Sequence, residues 1–294
     1  MAYVLRMGLR VRVPRDVVFQ HLLLPQHLAR WWCNFAQLEP KPGGKFAFGG
    51  DYAIARPEGH AFACRFTGGV VRKSVTFAWP LFGAETAVTW DVEDDADGSV
   101  LRVIHERLPT LWSTCGSLHD AWRMCLGNLK AIAEGRGDSF RPDHEPPREM
   151  RFKLDTVLDV PRAKAFAAVS TAEGVRGWAE PDRAPAVDPR MGGTLDLGWL
   201  DAHAARIIAF EPPSRLAVEW PHGEGSTHIA FAFEEKSGDR CALHFVHEGF
   251  PTEEDSPIVP LRCRWSDRLV GLKNLVESGD AGFTETYAAQ VAEQ

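Results

Sequence analysis

The sequence predicts an α+β protein of two tandem domains, each a curved antiparallel sheet wrapped on a long C-terminal helix. Three observations carry that expectation. The chain has 294 residues, more than a single hydrophobic core usually serves. Its second half echoes the first at an offset of roughly 141 to 149 residues. In each half, apolar residues alternate with period two and then, near the end, switch to helical spacing.

The echo keeps its order throughout. Val13-Pro14-Arg15 with Phe19 and Trp31 recurs as Val160-Pro161-Arg162 with Phe166 and Trp178, and Gly43-Gly44 recurs as Gly192-Gly193. Trp79-Pro80 matches Trp220-Pro221, His105-Glu106 matches His247-Glu248, and Trp122, Leu126 and Leu129-Lys130 match Trp265, Leu269 and Leu272-Lys273. Solenoid repeats are far shorter and cannot fold alone, so this period indicates a duplicated domain. The polar, Pro- and Gly-rich stretch from Gly135 to Glu149 has the composition of an inter-domain linker. The expected division is therefore residues 1–135 for copy one, 136–149 for the linker, 150–280 for copy two and 281–294 for a C-terminal tail.

Each copy opens with a strand-like alternation, Val4 to Val13 and Met150 to Val160, followed by a proline suited to the start of a helix. Val18, Leu22, Leu28, Trp31 and Trp32 then suggest two short helices broken at Pro25; Phe166, Val169 and Trp178 do the same in copy two. The glycine pairs permit a tight turn, and beyond them Phe46 and Phe48, or Leu195, Leu197 and Trp199, alternate with polar or small residues. Val75, Phe77 and Trp79 share one strand face, as do Thr86, Val88, Trp90 and Val92, and Leu101, Val103 and His105. In copy two the corresponding faces carry Leu216, Val218 and Trp220, then Thr227, Ile229, Phe231 and Phe233, then Leu243, Phe245 and His247. Antiparallel sheets with one wet face show this pattern. Ser117 and Asp120 resemble a capping box ahead of Leu118, Trp122, Cys125, Leu126, Leu129 and Ile132, a run ended by Gly135; in copy two the run stops near Gly279.

Composition narrows the function. A net charge of −7 with scattered basic residues argues against nucleic acid and anionic membranes as partners. The first 13 residues contain no long apolar core, so neither a signal peptide nor a membrane span is expected, and the protein is expected in the cytoplasm. Six cysteines lie in apolar stretches without a C-x-x-C pair and read as buried thiols. The histidines lack metal-ligand spacing. No nucleophile elbow, Walker or dinucleotide pattern occurs, so no metal or cofactor is expected.

The ordered motifs resemble the START-like helix-grip superfamily and, within it, the branch named after the activator of the heat-shock protein 90 ATPase. They are Val13-Pro14 to Phe19, His27-Leu28 to Trp31-Trp32, Pro40 to Phe46 with its glycine pair, the strand ending at Trp79, His105, and the helix from Trp122 to Lys130. The resemblance covers nearly all of copy one and, more loosely, copy two. Copy two lacks the His-Leu before Trp178 and is eight residues shorter between the glycine pair and the strand tryptophan, whereas only copy two keeps His247-Glu248-Gly249-Phe250. The resemblance implies a pocket between sheet and helix.

The candidate ligand-binding residues are Trp31, Trp32, Phe46, Phe48, Trp79, Trp90, His105 and Trp122 in copy one, and Trp199, Trp220, Phe231, His247 and Trp265 in copy two. His105 and His247 stand on inward faces of apolar strands. Each is suited to orient a ligand hydroxyl or carbonyl, to act in proton transfer, or simply to be hydrogen-bonded within the core. Three functions remain open: a binding protein for a hydrophobic small molecule (a lipid, polyketide or aromatic metabolite), a polyketide aromatase/cyclase-like enzyme using a cavity histidine, and a chaperone ATPase regulator. The longer copy one is the first place to expect a ligand, with copy two a smaller pocket or a structural partner.

Overall fold

Pro25 has no N–H to donate, so the first helical stretch breaks there into α1 (Arg15–Leu23) and α2 (Pro25–Trp31). In this computed structural model, which describes residues 2–146, 149–251 and 258–291, they follow strand β1 (Ala2–Val11). An antiparallel meander comes next: β2 (Phe35–Leu38), β3 (Lys45–Gly49), β4 (Phe62–Val70), β5 (Ser74–Leu81), β6 (Ala84–Asp95) and β7 (Gly98–Leu108). A small hairpin, β8 (Trp112–Ser113) and β9 (Gly116–Ser117), then leads into helix α3 (Leu118–Ala133). Ser117 caps this helix, its Oγ accepting from the His119 N–H rather than from Asp120.

The second half repeats the plan with β10 (Arg151–Leu158), α4 (Arg162–Ser170), α5 (Ala172–Trp178), β11 (Ala186–Val187), β12 (Thr194–Asp196), β13 (Ala205–Glu211), β14 (Arg215–His222), β15 (Gly225–Lys236), β16 (Arg240–Glu248) and α6 (Ile258–Ser278). At 16 and 21 residues, α3 and α6 run about 24 and 31 Å. A last strand, β17 (Phe283–Val291), pairs antiparallel with β1. The chain thus divides into unit 1, residues 1–144 with 282–294, and unit 2, residues 145–281. Residues 283–291, where a tail was expected, are a strand because the N–H and C=O groups along the outer side of β1 find partners there. Residues 147–148 of the expected linker and 292–294 of the expected tail lie outside the described residues.

Unit 1 has an eight-stranded sheet in the order β17-β1-β7-β6-β5-β4-β3-β2, and unit 2 a seven-stranded one in the order β10-β16-β15-β14-β13-β12-β11. The three strand faces predicted in each copy are all buried, from Trp79 and Val88 to Phe245 and His247. Each sheet turns that face to its own long helix. No helix is long and apolar enough to cross a membrane among the described residues.

The glycine pairs build the same corner twice. Gly43 and Gly192 have φ near +76 and +77, where Cβ is disfavoured. Gly44 and Gly193 instead sit so close to a turn carbonyl that a Cβ would lie 2.1 Å from Glu39 O or Asp188 O. The hydrogen bonds match too: Gly43 N–H to Phe66 O and Phe66 N–H to Gly44 O in unit 1, Gly192 N–H to Ile207 O and Ile207 N–H to Gly193 O in unit 2. Gly193→Ala should therefore lower stability by about 1–3 kcal/mol, and by more than Gly192→Ala, whose added Cβ meets open space. Chemical denaturation of the two variants measures the difference.

Candidate functional site

The inward end of β7 places His105 beside Thr86 of β6 and under Trp122 of α3. An indole N–H can only donate, so the 3.2 Å contact from Trp122 Nε1 makes His105 Nδ1 an acceptor. The ring proton is then on Nε2 and is donated to Thr86 Oγ1 at 2.8 Å, while the Thr86 hydroxyl donates to Trp79 O at 2.8 Å. The Trp79 ring stacks on His105 at 5.2 Å. Every polar atom of the imidazole is used, the residue is 0 % exposed, and burial pushes its pKa down to about 3. His105 is a neutral structural pin.

Unit 2 repeats only half of this arrangement. His247 Nε2 and Thr227 Oγ1 are 2.8 Å apart, and Thr227 Oγ1 reaches Trp220 O at 3.4 Å. Trp265, the counterpart of Trp122, lies 6.4 Å from His247 ring to ring, and His247 Nδ1 is buried without a hydrogen-bond partner. Burial, with smaller contributions from His222 and His228, lowers its pKa to about 3. Phe250 covers the ring at 4.5 Å.

The predicted ligand-binding residues of unit 1 are packed against one another. Trp32 is at the centre, 4.5 Å from Trp122, 5.7 Å from Trp79, 5.6 Å from Trp90 and 5.3 Å from Phe48. Phe46 bridges Phe48 and Trp90, and Trp31 donates its indole N–H to His21 O. All eight are at most 1 % exposed. Clefts of about 290 and 530 Å³ in this unit have other walls, the first around Phe19, Phe66 and Val75, the second around Arg56, Phe62 and Leu81. Of the extra residues of copy one, Ala53 to Ala55 turn inward, while Arg56 to Gly59 line the cleft of about 530 Å³. Ala53, Ile54 and Ala55 are buried, Cys115 Sγ donates to Ile54 O, and His144 Nε2 donates to Ala53 O. Residues of the expected linker hold this plug. Arg141 donates to the carbonyls of Ala29, Arg30 and Cys33 where α2 ends, and Asn128 bonds Ser139 and Phe140.

In unit 2, Trp199, Trp220 and Trp265 line a cleft of about 400 Å³ together with Asp201, His203, His222 and Arg264. The open cleft walled by predicted aromatic residues is thus in copy two, where the smaller pocket was expected. Copy two has Ala179 where copy one has Trp32, and Trp199 where copy one has Gly50. Trp199 packs on Trp265 at 5.4 Å and on Trp220 at 5.8 Å, as Trp32 packs on Trp122 and Trp79. Its N–H donates to Ala179 O, and its other face carries the Arg264 guanidinium at 3.9 Å, which is paired with Asp201. Phe231 lies deeper, against Trp265 and Phe245.

Sequence reasoning missed the cleft's polar rim, because Asp201 and His203 come from the loop before β13, His222 from the end of β14 and Arg264 from α6. It also missed a clasp present in both units. Lys130 donates to Arg10 O and Glu134, whose carboxylate accepts the Arg12 N–H; Lys273 donates to Val157 O and Glu277, whose carboxylate accepts the Asp159 N–H. The readable signal was Lys followed four residues later by Glu in both copies. Burial pushes the Glu134 carboxyl up, but bonds from Lys130, the Arg12 N–H and Arg136 outweigh it and hold its pKa below the ordinary value.

An antiparallel sheet with its buried face turned to a long final helix, built twice, defines a tandem pair of helix-grip domains. The chain belongs to the family described as Activator of Hsp90 ATPase homolog 1-like protein, whose model matches residues 12–134 and again 159–277. No curated protein matches it. Among solved structures, DynU16, described as a putative protein in the dynemicin biosynthetic locus, is 18% identical over 94% of this chain and 98% of its own, with a TM-score of 0.33. CalU16 from Micromonospora echinospora is 23% identical over 44% of this chain and 75% of its own, TM-score 0.38. An HSP90 activator from Plasmodium falciparum is 16% identical over 43% of this chain and 93% of its own, TM-score 0.37.

Two outcomes follow from the asymmetry and the clasp. His105→Leu strands the Trp122 N–H and removes the donor to Thr86 Oγ1, and should destabilise by about 1–3 kcal/mol, more than His247→Leu, which breaks one bond. Both histidines bind a proton less readily folded than unfolded, so stability should fall as pH drops below about 6.5 toward 3. His105→Leu should flatten part of that fall in denaturation curves taken across the range. Glu134→Gln, which leaves the buried Lys130 ammonium without its carboxylate, should cost about 3–5 kcal/mol at pH 7. The wild-type carboxylate's contribution is present above the ordinary Glu range and lost as pH falls through its lowered pKa, so the gap between Glu134→Gln and wild type should close in acid.

Proposed function

We propose that the chain is an intracellular binding protein that holds a hydrophobic small molecule, with its site in unit 2. The carrying observation is the cleft of about 400 Å³ walled by Trp199, Trp220 and Trp265, a volume within the usual span of small-molecule sites, about 300–1,000 Å³. Three rigid indoles, each at most 7 % exposed, edge the cleft with their apolar rings, and the Arg264–Asp201 ion pair stands at its rim. Six buried thiols suit a reducing compartment. A proton-transfer role for His105 is disfavoured, since both of its ring nitrogens are committed to the core.

Full-length protein titrated with 2-methoxynaphthalene should show saturable quenching of tryptophan fluorescence, and native mass spectrometry should detect a one-to-one adduct. Trp199→Ala, which removes one wall, should weaken binding about tenfold, the effect of roughly 1.4 kcal/mol. Absence of saturable quenching in the wild type, or unchanged affinity in Trp199→Ala, would remove the cleft as the site.

A further inference from the structure

The duplicated domain supplies its own control for what the unit 2 site lacks. In both units the Nε2 edge of the conserved-position histidine meets a threonine hydroxyl at 2.8 Å. In unit 1 the Trp122 N–H fixes the tautomer with the proton on Nε2, and in unit 2 that same tautomer is the one that serves both contacts of the Thr227 hydroxyl, to His247 Nε2 and to Trp220 O. Nδ1 is then a bare acceptor in each unit. Unit 1 satisfies it internally with the Trp122 N–H at 3.2 Å. In unit 2 the corresponding indole, Trp265, is likewise edge-on, at 6.4 Å from His247 against 5.9 Å for Trp122 and His105, but it makes no hydrogen bond to Nδ1 and lines the cleft. His247 is 1 % exposed and its Nδ1 is left without a donor, which is costly for a buried acceptor.

We infer that His247 Nδ1 is the polar anchor of the unit 2 site and that the ligand is an aromatic molecule bearing a hydroxyl or N–H donor. The inference rests on the reading of the cleft as a small-molecule site and adds the chemistry that the ligand presents. Such a donor does for His247 what Trp122 does for His105. Phe250 is the side chain that has to move. It lies 5.8 Å from His222 on the cleft wall and 4.5 Å from His247, ring to ring, and neither it nor His247 is part of the cleft lining, so the ring that covers His247 borders a residue of the wall. A ligand ring that takes the place of the Phe250 ring keeps the apolar contact and carries its donor to Nδ1.

The test compares two probes of the same ring system in the full-length chain. 2-Naphthol carries the O–H donor; 2-methoxynaphthalene has only an acceptor. Wild type should bind 2-naphthol about tenfold more tightly, the effect of one well-made hydrogen bond in a dry site. His247→Leu should abolish that preference while leaving the affinity for 2-methoxynaphthalene within about twofold, and His105→Leu should keep the preference. Equal affinities in wild type, or a preference that survives His247→Leu, overturns the role of His247 and leaves the cleft standing as a site. Saturable binding of neither probe removes the cleft and the anchor together. Should His247→Leu fail to fold, nitrogen NMR of the wild type decides: the His247 Nδ1 resonance should move on addition of 2-naphthol and stay with 2-methoxynaphthalene, and an unmoved resonance with bound 2-naphthol overturns the inference.

Discussion

Each sheet must have its concave apolar face covered by one helix, and a helix presents only one stripe of side chains to do it. Large side chains close the difference. The clasp at the helix C-terminus fixes the geometry of that contact, because Lys130 and Lys273 reach back to the carbonyls of the first strand while Glu134 and Glu277 hold the N–H groups two residues on. A buried ammonium is tolerated there because carboxylate and carbonyl both answer it. Helix and first strand, the two ends of each copy in sequence, are locked at one point, and the interior is packed from there.

Given that frame, the placement of a few indoles decides what each unit can do. Unit 1 carries Trp32 at the end of α2, in the middle of the aromatic cluster, and closes the mouth with Ile54, Cys115 and the His144 contact. The closure has a cost, since the indole N–H groups of Trp32, Trp79 and Trp90 are buried without partners. Unit 2 moves the equivalent ring to Trp199, on the loop side. That indole satisfies its N–H on Ala179 O and meets Arg264 on its outer face, so the wall stays and an opening appears beside it. The exchange of Trp32 and Gly50 for Ala179 and Trp199 conserves indole content while changing access.

Unit 1 also gathers residues from outside its own repeat. Arg141 ties the carbonyls at the end of α2, His144 pins the inward loop through Thr114 and Ala53, and β17 adds a strand beyond β1. Unit 2 has no such added strand among the described residues: β10 is the edge of its sheet. Two copies of one plan therefore differ in how firmly their surroundings hold them as well as in how their interiors are filled.

Periodicity alone determined much of this protein. Every residue that alternation placed inward in β5, β6, β7 and their counterparts is buried, because a strand has just two faces and one of them is dry. Pro25, the glycine pairs and the helix ends at Gly135 and Gly279 were legible because each acts through its own backbone. The motif order was enough to indicate the family. The site was less legible, for a physical reason. A hydrogen bond such as Trp122 to His105, or its absence between Trp265 and His247, depends on a few ångströms of ring placement that identical residue types at identical positions do not reveal. Ala53 to Ala55 carry no mark that they fold inward, and the tail no mark that it pairs with β1. Sequence determined which side chains face each interior; the tertiary structure decided which interior is sealed, because closure depends on how rings from distant segments meet.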